Sequence, residues 1–112
     1  MTPERACKAV QALIDSAAEY GAAKADVVRT ESMVKITKHL IMARSDAKTQ
    51  GAKETEAYTH DAYAAKVEEH VQAVGDYETL RAKRDAWVQT IEAWRSMNAN
   101  QRAAERGYGS HR

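Results

Sequence analysis

The most restrictive feature of this sequence is an apolar residue that recurs every seven positions. In the first half of the chain the repeat consists of Leu13, Tyr20, Val27, Val34 and Ile41. The second half carries a row of its own, which consists of Tyr77, Leu80, Trp87, Ile91 and Trp94. A heptad repeat places apolar side chains along one side of a helix, the seam, and two helices bury their seams against each other. The sequence therefore predicts an all-α fold, a long antiparallel two-helix hairpin that is coiled-coil-like.

The first helix is predicted from about residue 3 to residue 50. Thr2 can cap it, and proline at position 3 suits the first helical turn. Gly51 suits the left-handed position that follows many helix C-termini. Gly21 and Gly75 each weaken a helix by about 1 kcal/mol relative to alanine. The sequence leaves open whether they break the helices.

Residues 51–60 are polar and show no sustained period, so they are predicted to form the connection. The second helix is expected from about residue 61 to residue 105, with Thr59 and Asp61 in its cap region. Residues 106–112 are expected to fray, as chain ends commonly do. The whole chain, residues 1–112, is thus predicted to be a single helical domain.

Large core-forming side chains are few. Apolar residues make up 44% of the chain, but many are alanine and none is phenylalanine. One hairpin would bury only a thin core and be marginally stable alone. We therefore expect homo-oligomerisation into a helical bundle, a protein partner, or both. Met33, Ile36 and Leu40 widen the apolar side of the first helix and are the candidate protein interface.

Charge is unevenly distributed although the net charge is only +1. Residues 1–51 carry +2, residues 52–80 carry −5 and residues 81–112 carry +4. In a hairpin the basic residues of the first helix would lie beside the acidic residues of the second, which favours that register. The basic residues are Lys35, Lys38, Arg44 and Lys48, and the acidic ones are Asp61, Glu68, Glu69 and Asp76.

Several chemistries are absent from the sequence. It contains no HExxH motif, no glycine-rich phosphate loop and no nucleophile beside a plausible base. We therefore predict a protein that is not an enzyme and that uses no cofactor, small-molecule substrate or metal. A weak site formed by His39, His70 and Glu69 is the metal-binding alternative.

The location is predicted from two further absences. No window contains the roughly 18 apolar residues that a membrane span requires, and the one cysteine, Cys7, has no intramolecular partner. A lone thiol without a signal peptide is typical of a reducing cytoplasm. We expect a cytoplasmic protein that does not contact a membrane.

A basic stretch in the second helix is the candidate contact for nucleic acid or a partner protein, and it consists of Arg81, Lys83, Arg84, Arg95 and Arg102. Basic side chains neutralise phosphates, and exposed tryptophans can stack on unpaired bases. The heptad phase instead favours packing of Trp87 and Trp94 in the seam. Arg84 also falls at a seam position, where it either pairs with an acid such as Asp26 or marks an opening toward a partner.

Five segments resemble a family of small helical proteins of tailed bacteriophages, encoded near recombination and replication genes. These segments are Val27-Val28-Arg29, Ala47-Lys48-Thr49-Gln50 leading to Glu56-Ala57-Tyr58, Tyr63, Leu80-Arg81 and Ile91-Glu92-Ala93-Trp94-Arg95. The family has no assigned activity. The resemblance implies a viral protein of the host cytoplasm that is accessory to DNA recombination, and it draws attention to Trp94 and Arg95.

The leading functional hypothesis is a non-enzymatic adaptor that supports phage DNA recombination or replication through protein contacts. The alternative is direct binding of single-stranded DNA by the basic half of the second helix. A further alternative is inhibition of a host nuclease or defence complex. Inhibition by DNA mimicry would require a continuous acidic face, which a net charge of +1 disfavours.

Overall fold

The computed structural model describes residues 2–109, and the side chains of residues 2–107. Within them the regular elements are three α-helices: α1 (Pro3–Arg44), α2 (Gln50–Thr59) and α3 (Asp61–Gly109). The all-α prediction is confirmed. The chain divides into two compact units. Unit 1 comprises Met1–Ala18 and Leu80–Arg112, and unit 2 comprises Glu19–Thr79.

Helix α1 begins where the sequence predicts. The hydroxyl and the carbonyl oxygens of Thr2 both accept from the backbone N–H of Arg5, at 3.4 and 3.2 Å. These two oxygens satisfy a backbone N–H of the first turn, where the helix itself provides no acceptor. The helices also continue through Gly21 and Gly75, and no described residue has a positive φ. Neither glycine breaks its helix.

The first helix ends at Arg44, about six residues earlier than expected. Ser45 explains the stop, because its hydroxyl accepts a hydrogen bond from the backbone N–H of Ala47 at 3.1 Å and donates one to the Glu56 carboxylate. Serine that bonds to nearby backbone in this way competes with helical hydrogen bonding. Residues 45–49 therefore separate α1 from α2.

The predicted connection, residues 51–60, is mostly helical. The hydroxyl oxygen of Thr49 accepts from the backbone N–H of Ala52 at 3.1 Å and caps α2. Gly51 consequently lies in the first turn of α2, not after a helix C-terminus, and it does not adopt a left-handed conformation. The sequence did not reveal α2, because a ten-residue helix is too short to show a clear apolar period.

Helix α3 begins at Asp61, as predicted, but its cap is a different residue. His60 lies between α2 and α3 in an extended conformation, and its Nδ1 accepts from the backbone N–H of Ala62 at 3.0 Å. The Thr59 hydroxyl donates back into α2, to the carbonyl oxygen of Thr55 at 2.8 Å. The cap is thus a histidine, which is not among the preferred capping residues.

Helix α3 continues to Gly109, beyond the expected end near residue 105. The tail expected to fray begins at residue 106, and residues 106–109 are helical. Arg106 lies in the last turn, where a cation interacts favourably with the negative end of the helix dipole. The rest of the expected tail, residues 110–112, lies outside the described residues.

Unit 1 packs the beginning of α1 against the second half of α3. Arg84 joins the two helices, since its Nη1 donates to the carbonyl oxygen of Leu13 at 2.9 Å and to the hydroxyl oxygen of Ser16 at 2.6 Å. Ala6 and Ala9 are buried on α1, and Leu80 on α3. Much of this contact therefore involves small side chains.

Unit 2 contains the remaining part of α1, all of α2 and the first part of α3. Tyr20 and Tyr77 stack with ring centroids 5.4 Å apart, and their hydroxyls share a hydrogen bond of 3.2 Å. The hydroxyl of Thr30 lies 2.8 Å from Nδ1 of His70. From Tyr20 to the later residue Thr30 on α1, the contact on α3 moves from Tyr77 to the earlier residue His70. The two segments are therefore antiparallel within this unit.

The buried core consists mostly of small residues. The buried hydrophobic residues among those described are Ala6, Ala9, Met42, Ala57, Ala73 and Leu80. Two polar residues, Ser16 and Thr30, are buried beside them. No large side chain in the described part of the chain is fully buried. The thin core expected from the composition is present in the structure.

No helix within residues 2–109 has both the length and the apolar character that a membrane span requires.

Candidate interaction surfaces

An apolar groove lies between the two helices of unit 1. Its volume is about 440 Å³, and it is lined by Pro3, Ala6, Cys7, Val10, Gln11, Ile91, Trp94 and Arg95. The thiol of Cys7 is exposed, and Val10 is 43% exposed. The walls are mostly aliphatic or aromatic, whereas Gln11 and Arg95 are polar. A concave surface of this composition suits contact with an apolar group.

Both tryptophans belong to unit 1 and both are half-buried. Trp94 lines the groove. Trp87 lines a separate depression together with Arg5, Lys8, Ala9, Ala12 and Thr90. Their seam positions, which the heptad phase predicts, bring them against alanines of α1, and those short side chains leave part of each indole uncovered.

Arg84 is held within unit 1. Its hydrogen bonds to Leu13 and Ser16 turn the guanidinium toward α1, and the side chain is partly buried. The expected partner, Asp26, instead accepts hydrogen bonds from Arg29 on its own helix, the shorter at 3.1 Å. The carbonyl oxygen of Leu13 and the hydroxyl oxygen of Ser16 thus provide hydrogen-bond acceptors for a cation at this seam position. Arg84 is therefore a structural residue in this unit.

The other members of the predicted basic contact lie on the surface. Arg81, Lys83, Arg95 and Arg102 are exposed. Arg95 forms an ion pair with Glu92, three residues earlier on α3, at 3.2 Å. Exposed pairs of this kind contribute about 0.2–1 kcal/mol, so Arg95 can exchange this partner for another anion.

The predicted protein interface lies in unit 2. Ile36 and Leu40 are 48% and 49% exposed, and Met33 is half-buried. Leu40 also contributes to a groove with Thr37, Ile41, Arg44, Glu56, His60 and Ala62. The structure thus leaves the two aliphatic side chains accessible to a partner.

Lys38 connects α1 to α2 beside this surface. Its ammonium nitrogen lies 2.8 Å from the Tyr58 hydroxyl and 4.7 Å from the ring centroid. This hydrogen bond raises the pKa of Lys38 above its usual value. The contact is the kind of cation–π interaction that aromatic rings make with ammonium groups.

Two of the charged residues expected to pair across the hairpin, Lys35 and Glu69, instead form ion pairs on their own helices. Lys35 pairs with Glu31 at 3.8 Å, and Lys66 pairs with Glu69 at 3.4 Å. Residues three or four positions apart on a helix are neighbours, so such pairs form without any tertiary contact. The uneven charge therefore appears mainly as a difference between the two units.

Unit 1 and unit 2 have opposite net charges. Unit 1 carries nine Lys and Arg residues against five Asp and Glu residues, a net charge of +4. Unit 2 carries eight against eleven, a net charge of −3. Surfaces of opposite sign attract each other when they belong to different molecules.

Three exposed aliphatic side chains of α1 escaped the sequence-based prediction. Val10, Ile14 and Val28 are 43%, 63% and 60% exposed. They lie off the seam, on the side of the helix that also carries Cys7 and Gly21. Ile14 and Val28 lie two heptads apart, and this spacing is the signal that could have revealed those two residues.

The histidines of the suggested metal site have other environments. His70 contacts Thr30, while His39 is exposed. Among the described residues, no group of three His, Cys, Asp or Glu side chains is arranged to hold a metal ion.

Comparison with known proteins gives no relative: no family model, curated protein or solved structure matches the chain.

Proposed function

We propose that this chain is a non-enzymatic helical adaptor that self-associates and acts through protein contacts. The observation that carries the proposal is that small apolar side chains are buried while several larger ones are exposed. Four of the buried hydrophobic residues are alanines, while Ile14, Val28 and Ile36 are each about half exposed or more. Exposed apolar residues on this scale are typical of a protein whose partner completes the core.

The exposed area supports self-association. The chain exposes 8292 Å², whereas a folded monomer of 12.4 kDa exposes about 6,100 Å² on the usual scaling of area with mass. The excess is about 2,000 Å² for each chain. Obligate homodimers bury about 2,000–5,000 Å² over both partners, so one dimer interface could cover it.

In the proposed architecture α1 and α3 form an antiparallel hairpin, and two or more copies form a helical bundle. The antiparallel contacts of Tyr20 with Tyr77 and of Thr30 with His70 support the hairpin. Bundles of this type bury apolar rows that one hairpin leaves open.

The proposed partner surface is formed by Met33, Ile36 and Leu40. Ile36→Glu and Leu40→Glu together would place two carboxylates on that surface. The matched control is Val71→Glu, since Val71 is 56% exposed and also lies in unit 2. Co-precipitation from phage-infected cells, with the partner identified by mass spectrometry, tests the proposal.

We expect the native chain and the control to recover a recombination or replication protein. The double variant should not recover it. Equal recovery by all three would exclude this surface. The role in phage DNA recombination, in the host cytoplasm, rests on the resemblance to the phage family and depends on the identity of that partner.

Direct binding of single-stranded DNA is the second candidate, favoured by the +4 charge of unit 1 and by its exposed basic side chains. A labelled oligonucleotide titrated over a salt series tests it, because affinity through phosphate contacts falls steeply with salt. Arg95→Glu with Arg102→Glu should then abolish binding and leave the helix content unchanged. If the native chain does not bind at about 0.15 M salt, a concentration that screens exposed charges, this function is excluded.

A further inference from the structure

An exposed apolar row on α1 continues beyond the groove of unit 1. It consists of Pro3, Cys7, Val10 and Ile14, which are all exposed and all belong to unit 1. Their spacing of four, three and four residues places them on one side of the helix. The first three line the groove, and Ile14, which is 63% exposed, extends the row by one turn. The row therefore covers about 16 Å of α1, at a rise of about 1.5 Å per residue.

Helix α3 provides the other wall of the groove, also within unit 1. Ile91 and Trp94 line the groove and are half-buried. Val88 lies three residues before Ile91, on the same side of α3, and is 40% exposed. Ala6 is the buried member of the lining, and its short side chain leaves space between the larger ones. The two helices together form a concave apolar surface.

The spacing and length of this surface fit a third helix. Apolar residues at positions i, i+4, i+7 and i+11 are those that one helix presents to a neighbouring helix. A groove of this kind is also the surface that an amphipathic helix fills in many protein complexes. The row spans about three helical turns of about 5.4 Å each, so several side chains of one partner helix can contact it.

Charge indicates that the partner helix is acidic. Arg95 lines the groove, and its side chain is 67% exposed. Its ion pair with Glu92 is exposed and lies within one helix, so a partner carboxylate can replace Glu92 at little cost. The net charge of unit 1, +4, attracts an acidic segment and disfavours the same surface of a second copy.

The wall formed by α1 carries a carboxylate of its own. Gln11 lines the groove and donates a hydrogen bond to Asp15 at 2.8 Å. Because Asp15 repels a second carboxylate, the acidic residues of the partner are expected on the α3 side of the groove, beside Arg95.

We propose that unit 1 binds an acidic amphipathic helix of another protein in this groove. Apolar side chains of the partner contact Val10, Ile14 and Trp94, and a carboxylate at the edge of the partner helix pairs with Arg95. This docking surface extends the proposed action through protein contacts to unit 1. It shares no residue with the proposed partner surface of unit 2, so either surface can fail without the other.

Two synthetic peptides of about three heptads test the docking. Both carry leucine at positions a and d, and one carries glutamate at e and g where the other carries lysine. Like charges at those positions prevent each peptide from pairing with itself. Cys7 lines the groove and is exposed, so its reaction rate with a thiol reagent reports occupancy in the native chain. The glutamate peptide should slow this reaction and bind at least about tenfold more tightly than the lysine peptide, equivalent to about 1.4 kcal/mol.

Matched variants locate the contact. Lys83 and Met97 each lie seven residues from Thr90, which lines the separate depression of unit 1, so both share that side of α3. Arg95→Gln should weaken binding of the glutamate peptide about tenfold, whereas Lys83→Gln, which removes the same charge, should not. Val10→Gln should also weaken it, with Met97→Gln as the control, because the native side chains are 43% and 51% exposed. Circular dichroism checks that all four variants keep their helix content.

Glu92→Gln removes the competing carboxylate and should tighten binding of the glutamate peptide. Equal binding of the two peptides, or equal effects of Arg95→Gln and Lys83→Gln, would overturn the proposal. It would also be overturned if the Cys7 reaction slowed with protein concentration alone, because a second copy would then cover the groove. Protection of Cys7 by dodecanoate and by neither peptide would likewise replace the partner helix with a lipid-like ligand. Each of these results would leave the partner surface of unit 2 and its co-precipitation test unaffected.

Discussion

Units 1 and 2 each contain part of α1 and part of α3, but the contacts that join these two helices differ between the units. In unit 2 the helices are joined by side chains that recognise each other, as in the tyrosine pair and the contact of Thr30 with His70. In unit 1 a polar link is formed by Arg84, and the buried residues Ala6, Ala9 and Leu80 lie in the same unit as two half-buried tryptophans. Specific polar contacts fix the register of two helices, whereas small buried side chains leave larger apolar ones exposed. Within unit 2 the polar contacts therefore fix the alignment of α1 with α3, and in unit 1 the exposed aliphatic side chains include Val10 and Ile14.

The largest expected effect sharpens this contrast in unit 1. Trp87→Ala should lower the free energy of unfolding by about 2–3 kcal/mol, below the 3–5 kcal/mol typical of a fully buried tryptophan. The reason is that Trp87 is only half-buried against α1. Urea denaturation followed by circular dichroism, at one fixed protein concentration, measures the loss.

Val88→Ala is the control, because Val88 is the next residue on α3 and is 40% exposed. Its expected cost is below about 1 kcal/mol, as only part of a small side chain is removed from a contact. If Trp87→Ala costs no more than this control, the tryptophan belongs to a binding surface and not to the unit 1 core.

The next effect concerns the polar contact of unit 2. Thr30→Val keeps the side-chain volume but removes the hydroxyl that bonds to His70, and Thr30 is only 2% exposed. Leaving a partly buried ring nitrogen without this partner should cost about 1–2 kcal/mol in thermal or urea unfolding. Thr90→Val is the matched control, since the Thr90 hydroxyl donates within its own helix to Ala86. Equal costs would show that unit 2 does not depend on its polar contacts as proposed.

Much of the helical architecture could be predicted from sequence. The heptad rows predicted α1 and α3, because apolar periodicity persists over many turns, and Thr2 and Asp61 mark their starts. The gap between α1 and α2 could not be found in the same way. It depends on the hydrogen bonds of Ser45 to Ala47 and Glu56, and the latter is a tertiary contact that no local pattern encodes.

A smaller and opposite effect is expected at Gly75. Gly75→Ala should stabilise the chain by about 0.5–1 kcal/mol, because alanine restricts the unfolded chain and favours helix. The structure permits the change, since an added Cβ at this exposed position meets nothing within 4 Å. A rise in melting temperature is the expected observation, and a fall would mean that the surface around Gly75 is covered by a partner.

The smallest effect concerns Lys38 in unit 2. Because the hydrogen bond to Tyr58 raises the Lys38 pKa, the contact contributes to stability below the ordinary lysine value and loses that contribution as the pH rises through the folded-state pKa. An NMR titration of the Lys38 side chain in the native chain and in Tyr58→Phe measures the shift. We expect a lower pKa in the variant, and an unchanged pKa would show that this hydrogen bond does not form in solution.

The candidate surfaces were predictable only in part. The exposure of Ile36 and Leu40 agrees with their position beside the seam, because side chains at the edge of a helix contact remain partly open. The role of Arg84 was not predictable, since its acceptors are a backbone carbonyl and the Ser16 hydroxyl. A search for an acidic partner, such as Asp26, could not identify them.

The central claim is that one chain does not cover its own apolar surface, and the mass in solution tests it most directly. Light scattering at micromolar concentration should give at least twice the 12.4 kDa mass of a single chain. Dilution should dissociate the assembly and lower the melting temperature together, because association stabilises the folded chain by mass action. A mass of 12.4 kDa at all concentrations, with a sharp unfolding transition that does not depend on concentration, would contradict the claim.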